Sequence, residues 1–173
     1  MNTIQKLFSL EGLRIVVTGA SSGLGLNQVI MLANCGATVF ALSRSGKPKV
    51  AVGEEIPANI IFDQLDVTNE AEIKRKFSEI GENGGIDVLV NNAGITQRVR
   101  AEELSRELWE SIHAVNVTAI AMCCKHAYPF LKQSKHIGRI INISSMASHL
   151  GFSEVVPYSS SKAAVLGITR GLA

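Results

Sequence analysis

The stretch Pro157-Tyr158-Ser159-Ser160-Ser161-Lys162 sets a phenol and an ammonium four positions apart. On a helix that spacing puts both on one face. A phenol titrates at a pKa of about 10, roughly three units too high for a base at neutral pH. A lysine cation within a few ångströms favours the phenolate and brings proton exchange into range. The pair suits a reaction in which a hydride leaves or reaches a carbinol carbon, because the attached oxygen must exchange a proton in the same event. Taken alone, the same two residues are equally an amphipathic surface pair.

A second candidate lies near the N-terminus, where Ile15-Val16-Val17 runs into Thr18-Gly19-Ala20-Ser21-Ser22-Gly23-Leu24-Gly25. Gly19 lets the chain turn sharply off a strand. Gly23 and Gly25 remove side chains where backbone must approach a pyrophosphate at a helix N-terminus, so that the first amides and the helix dipole face the anion. Without its strand and helix the pattern would be a glycine-rich turn and nothing more. Dinucleotide sites place an acid at the end of the second strand to hold the ribose 2′-hydroxyl. Here that position is Ser43, followed by Arg44. A small hydroxyl beside a guanidinium suits a 2′-phosphate and favours NADP over NAD, although a solvated loop arginine is the alternative.

These residues need elements to hold them. Short apolar, β-branched runs at Arg14–Thr18, Thr38–Leu42, Ile60–Phe62, Val88–Val90 and Arg139–Ile143 read as buried parallel strands. Helical patterns alternate with them. One spans Leu24–Cys35 and is closed by Gly36, and another is capped by Thr68 or Asn69 and runs to about Ile80. A long one follows Ser105 to about Lys132, with Pro129 bending its end, and the last begins near Tyr158. The order predicts one α/β domain over residues 1–173, a doubly wound parallel sheet whose ligands sit beyond the carboxyl ends of its strands.

Composition narrows the function classes. The chain has 173 residues, 46% hydrophobic and 18% charged, and a formal charge of +2, with basic residues too scattered for a nucleic-acid or membrane partner. Three cysteines, Cys35, Cys123 and the adjacent Cys124, do not form a disulfide framework and point to reduced thiols in a cytoplasm. No signal segment or membrane span is apparent, and the four histidines have no metal-ligand spacing.

Four motifs in order resemble the short-chain dehydrogenase/reductase family: the glycine turn Thr18–Gly25, Asn91-Asn92-Ala93-Gly94, a helical Asn116, and Ser145 thirteen residues before the Tyr158–Lys162 segment. The resemblance covers essentially every residue and implies a Rossmann-like fold and hydride transfer between NADP(H) and a secondary alcohol or ketone. It implies that Gly19, Ser21, Ser22, Gly23, Leu24 and Gly25 line the cofactor's phosphates and ribose, that Ser43 and Arg44 meet the 2′-phosphate, and that Asp66 and Val67 hold the adenine. Asn92, Ala93 and Gly94 would form the floor, and Tyr158 and Lys162 would reach the nicotinamide ribose. Asn116, Ser145, Tyr158 and Lys162 would be the catalytic four: Tyr158 the general acid/base, Ser145 polarising the carbonyl, Asn116 positioning a water that links Lys162 to solvent. By chemistry alone Ser144 could replace Ser145, Asn116 could be a helix-kink residue bonded to backbone, and Asn91 could tie strand ends through backbone hydrogen bonds.

Arg98 and Arg100, after the floor motif, would suit a carboxylate or phosphate, or a solvated loop. The loop and the residues before Tyr158 resemble members acting on sugar acids and polyols, and also 3-oxoacyl-thioester reductases. Trp109, with Leu108 and Ile112, reads as one face of the long helix, in the region where relatives form homodimers or homotetramers. Members of the family run to about 250 residues. The resemblance therefore implies a chain lacking its last strands and substrate-capping loop, with strand five an unpaired edge and the last helix partly uncovered. The alternative function is a non-catalytic nucleotide-binding or oligomer-partner fragment of such an enzyme.

Overall fold

A computed structural model describes residues 7–49 and 55–173. The first six residues of the segment read for a signal peptide lie outside the described residues. Among the described residues five strands form, β1 (Arg14–Thr18), β2 (Thr38–Ser43), β3 (Ile60–Gln64), β4 (Val88–Asn91) and β5 (Arg139–Asn142). Each falls on an apolar run expected to be a strand, with ends moved by two residues at most. All pair in parallel in the order β3-β2-β1-β4-β5.

Alternation along β1 explains how one strand serves two cores, since successive side chains point to opposite faces. Val16 packs with Leu42, Leu65, Phe77 and Leu89 on one face. Ile15 and Val17 pack with Val29, Val39 and Val90 on the other. Helices cover both faces, so β1, β2 and β4 are buried almost end to end. β5 lies at the sheet edge and is half exposed, as an edge strand must be.

The helices are α1 (Gly23–Asn34), α2 (Glu70–Glu82), α3 (Arg106–His113), α4 (Ala119–Leu131) and α5 (Val156–Leu172). Asn69 caps α2, its side chain accepting from the N–H groups of Ala71 (3.1 Å) and Glu72 (3.2 Å); Thr68 instead donates to the Asp66 carboxylate. The long helix expected from Ser105 is interrupted: a π-helical turn, Ala114–Thr118, separates α3 from α4. Such turns arise where one extra residue is accommodated, often at functional sites. Asn116 lies at its centre. Pro129 lies within the last turn of α4, which closes at Leu131.

The apolar face of α3 differs from the sequence reading. Ile112 is fully buried and Leu108 partly so, but Trp109 remains exposed and stacks on His113 at 4.2 Å between ring centroids. One helical step separates the face that meets the core from the face that does not. Cys123 and Cys124 are buried in α4, where desolvation pushes the Cys123 thiol up to about 12 and leaves it unreactive at neutral pH. Among the described residues no helix is long and apolar enough to cross a membrane.

Candidate active site

The order of strands reverses between β1 and β4, and the loops that leave their carboxyl ends open a cleft of about 510 Å³. Close backbone approach makes it possible. Gly19 adopts φ +68°, and a Cβ there would stand 2.7 Å from the Cα of Ala93. A Cβ on Gly25 would overlap the Gly19 carbonyl oxygen and the Asn92 amide. Gly23, at φ +55°, faces open space. Cross-strand bonds hold the two loops together. The Thr18 hydroxyl accepts from the N–H groups of Asn92 (3.2 Å) and Ala93 (3.1 Å), and the Asn92 amide donates to the carbonyls of Thr18 (3.0 Å) and Gly19 (3.1 Å).

Gly19, Ser21, Ser22, Leu24, Gly25, Ser43, Arg44, Asp66, Val67, Asn92, Ala93 and Gly94 all line this cleft, and Gly23 sits in the same turn. Ser43 is buried, and its hydroxyl accepts from the Gly46 N–H at 3.2 Å. Arg44 is exposed. One Asp66 oxygen accepts from the N–H (2.9 Å) and hydroxyl (2.7 Å) of Thr68. Those bonds, with the Arg44 charge nearby, hold its carboxyl below the usual carboxylate range. Ser45, Lys49, Leu65, Thr68, Ile95 and Val115 complete the lining, none of them expected in the nucleotide cleft. For Lys49 a signal existed, the basic run Lys47-Pro48-Lys49 just after Arg44.

At the other end of the site the bonding is through side chains. Lys162 is only 4% exposed, and its ammonium donates to the Ile143 carbonyl at 2.7 Å. Burial lowers its pKa from the ordinary lysine value. The same nitrogen lies 5.8 Å from the centroid of the Tyr158 ring. Asn116 is completely buried; its Oδ1 accepts from the Ile95 N–H (2.9 Å), and its Nδ2 donates to the Ile95 carbonyl (2.9 Å) and the Ser161 hydroxyl (3.0 Å). The side chain is thus a backbone clamp within a helix irregularity. Ser161 in turn donates to the Tyr158 carbonyl at 2.7 Å. A Cβ on Gly94 would lie 3.4 Å from Asn116 Oδ1 and 3.5 Å from Lys162 Nζ, so the floor loop, the π turn and α5 converge there.

The two serines before the 3₁₀ turn Met146–Ser148 separate by bonding. Ser144 donates to the Lys162 carbonyl (3.0 Å) and lies 3.1 Å from the Ser148 hydroxyl, which commits it to holding α5. The Ser145 oxygen accepts from the Ala147 N–H at 3.1 Å, which leaves its proton available to donate. Asn91 is also structural, but not through backbone: its amide donates to Asn142 Oδ1 (2.8 Å) and toward Cys124 Sγ (3.3 Å). Arg98 and Arg100 are exposed, and Val99 between them donates to the Glu154 carbonyl at 2.8 Å. Glu154 has φ +62°, a strained conformation for a residue with a Cβ. This clasp joins the loop after β4 to the segment leading into α5.

The sequence model of the short chain dehydrogenase family matches residues 14–173. A 3β-hydroxysteroid dehydrogenase of Mediterraneibacter gnavus is 38% identical over 164 residues, 92% of this chain and 59% of its own. A 2-dehydro-3-deoxy-D-gluconate 5-dehydrogenase of Dickeya dadantii is 35% identical, over 98% of this chain and 68% of its own. The crystal structure of a gluconate 5-dehydrogenase from Burkholderia cenocepacia, in complex with NADP and tartrate, superposes with a TM-score of 0.84 at 28% identity, covering 98% of this chain and 68% of that one. The chain thus spans about three fifths to two thirds of the length of these relatives.

Proposed function

This chain belongs to the short-chain dehydrogenase family, and from that premise we propose that it binds NADP(H) and exchanges a hydride with a secondary alcohol or ketone. The observation that carries the proposal is the buried Lys162 ammonium, 5.8 Å from the Tyr158 ring and facing Gly94 at the floor of the nucleotide cleft. A buried lysine with no carboxylate partner among the described residues is costly to keep, and a role in proton exchange gives a reason to keep it.

The cleft fits a dinucleotide on this chain's own geometry. The gap beside Gly94 is one that a single Cβ would narrow toward Lys162 and Asn116, and room there suits a ribose. The start of α1 presents backbone amides and its dipole for a pyrophosphate. Gly19, Ser21, Ser22, Gly23, Leu24 and Gly25 would hold the phosphates; Asp66 and Val67 the adenine; Asn92, Ala93 and Gly94 the ribose from below. Ser43 closes the turn that presents Arg44 to a 2′-phosphate. A bound nicotinamide would supply or accept the hydride.

The protein's part is the proton. Tyr158 gives its phenolic proton to the substrate oxygen during reduction and takes it back during oxidation. The Lys162 charge stabilises the negative charge this leaves on the ring oxygen. Ser145 donates a hydrogen bond to the same substrate oxygen as charge develops there. Asn116 holds the Ile95 backbone and Ser161, which keeps the floor loop and α5 in register. Its part in any proton relay is therefore to fix the surrounding backbone.

For the substrate, a sugar acid is the reading with most support. Relatives named for gluconate chemistry recur among those at 34–35% identity. Arg98 and Arg100 offer cations on a loop clasped to the entry of α5. The test is NADPH oxidation by the purified chain with 5-ketogluconate and a panel of ketones, with nucleotide binding measured alongside. Tyr158→Phe should lower turnover by about three orders of magnitude while nucleotide affinity holds within a few-fold. Equal rates for both proteins would sink the assignment of Tyr158. Nucleotide binding without turnover would support the fragment reading instead.

A further inference from the structure

The segment after β2 carries three cations in six residues, Arg44, Lys47 and Lys49, and no acid. It is wound back on itself. Gly46, at φ +63°, donates to both the hydroxyl and the carbonyl of Ser43, each at 3.2 Å, and the Ser45 hydroxyl donates to the Lys47 carbonyl at 2.9 Å. The Lys49 N–H then donates to the Ser21 carbonyl at 2.7 Å. That bond joins residues far apart in sequence and pins Lys49 to the glycine turn. Arg44 and Lys49 consequently both line the nucleotide cleft, whereas Lys47 does not.

Neither Arg44 nor Lys49 forms a salt bridge among the described residues. Among the described residues one carboxylate lines the cleft, that of Asp66, and Thr68 already occupies one of its oxygens. With the positive end of α1 added, the cleft has an excess of positive charge that only an anion would balance. A pyrophosphate at the start of α1 is served by backbone amides. A phosphate monoester at the far end, with nearly two negative charges, stands away from that helix start and calls for cationic side chains. Arginine meets it as a fork and lysine as a point charge from another direction.

We propose that Lys49 is a second cation for the 2′-phosphate of the nucleotide, acting with Arg44 to set the preference for the phosphorylated cofactor. The proposal rests on the NADP reading above. Its test needs no turnover: calorimetric titration of the full chain with adenosine 2′,5′-bisphosphate and, separately, with ADP. The wild-type chain should prefer the bisphosphate. Lys49→Met should weaken the bisphosphate about tenfold and leave ADP within twofold, and Lys49→Arg should retain most of the affinity. Bisphosphate affinity unchanged in Lys49→Met but lost in Arg44→Met would overturn the role of Lys49 and leave the NADP reading standing. Equal weakening of both nucleotides in Lys49→Met would make Lys49 an anchor of the turn and overturn its specificity role. No preference for the bisphosphate in the wild-type chain would remove both readings together.

Discussion

At the end of β1 the chain makes room by leaving side chains out, while at the ends of β4 and β5 it fills the space with polar side chains bonded to one another. In the first region Gly19 and Gly25 let the backbones of two loops approach within contact of Ala93 and Asn92, and the ligand-facing groups are mainly amides and short hydroxyls. In the second, Asn116, Ser144, Ser161 and Lys162 are tied to one another and to Ile95, Tyr158 and Ile143 by bonds of 2.7–3.0 Å. Each region should therefore fail in its own way: the cleft by steric intrusion, the Tyr158 corner by loss of partners.

Gly25→Ala is the harshest test of that contrast. Its methyl group would overlap backbone and a fixed amide, with no flexible neighbour to yield, so a loss of about 3 kcal/mol is expected. Urea unfolding should show a lower midpoint at unchanged slope, and adenosine 2′,5′-bisphosphate should bind poorly. A stable variant with intact nucleotide affinity would mean that the close approach is not what shapes the cleft.

Asn116→Ala should act differently. It removes no bulk from the cleft but leaves the Ile95 N–H and carbonyl without their partner, at a cost of about 2 kcal/mol. The bisphosphate, which reaches only the adenosine end, should bind within twofold of wild type, whereas turnover should fall. Loss of bisphosphate affinity comparable to that of Gly25→Ala would show that the two regions are one cooperative unit.

The smallest effect concerns the acid limb of stability. The carboxyl of Asp66 is held below the usual range in the folded chain, so its contribution is present above the unfolded pKa of about 4 and is lost as pH falls through the lower folded value. Because the group is near the surface, solvent screens most of the effect. Asp66→Asn should flatten the fall in Tm between pH 5 and 3 by about 2 °C. An identical pH profile in the variant would remove Asp66 from the acid response.

Much of this was legible along the chain. The β-branched runs marked the strands, because β1, β2 and β4 are covered on both faces and must be apolar throughout, and the edge strands β3 and β5 keep enough of that character to be read. The glycine turn was readable because its chemistry is local: a strand end, positive φ and a helix start all lie within eight residues. What escaped depends on separation in sequence. Ser161 looks like Ser159 and Ser160 until Asn116, 45 positions earlier, donates to it. Lys49 looks like any loop lysine until the Ser21 carbonyl fixes its backbone. Trp109 and Ile112 share an apolar character, and only the packing of α3 decides which one is covered.

Composition and spacing therefore determined the element order, the parallel sheet, the glycine turn and the Tyr158–Lys162 pair, since these follow from periodicity and from what each side chain can donate, accept or leave out. Asn116, Ser145, Asp66 and Val67 were instead marked by the family resemblance. Tertiary structure decided which of two adjacent serines keeps a free proton, that Asn116 is a clamp within a π turn, and that Asn91 bonds side chains rather than backbone. Those outcomes turn on hydrogen-bond partners brought together from distant strands and helices, and a partner of that kind exists only once the chain has folded.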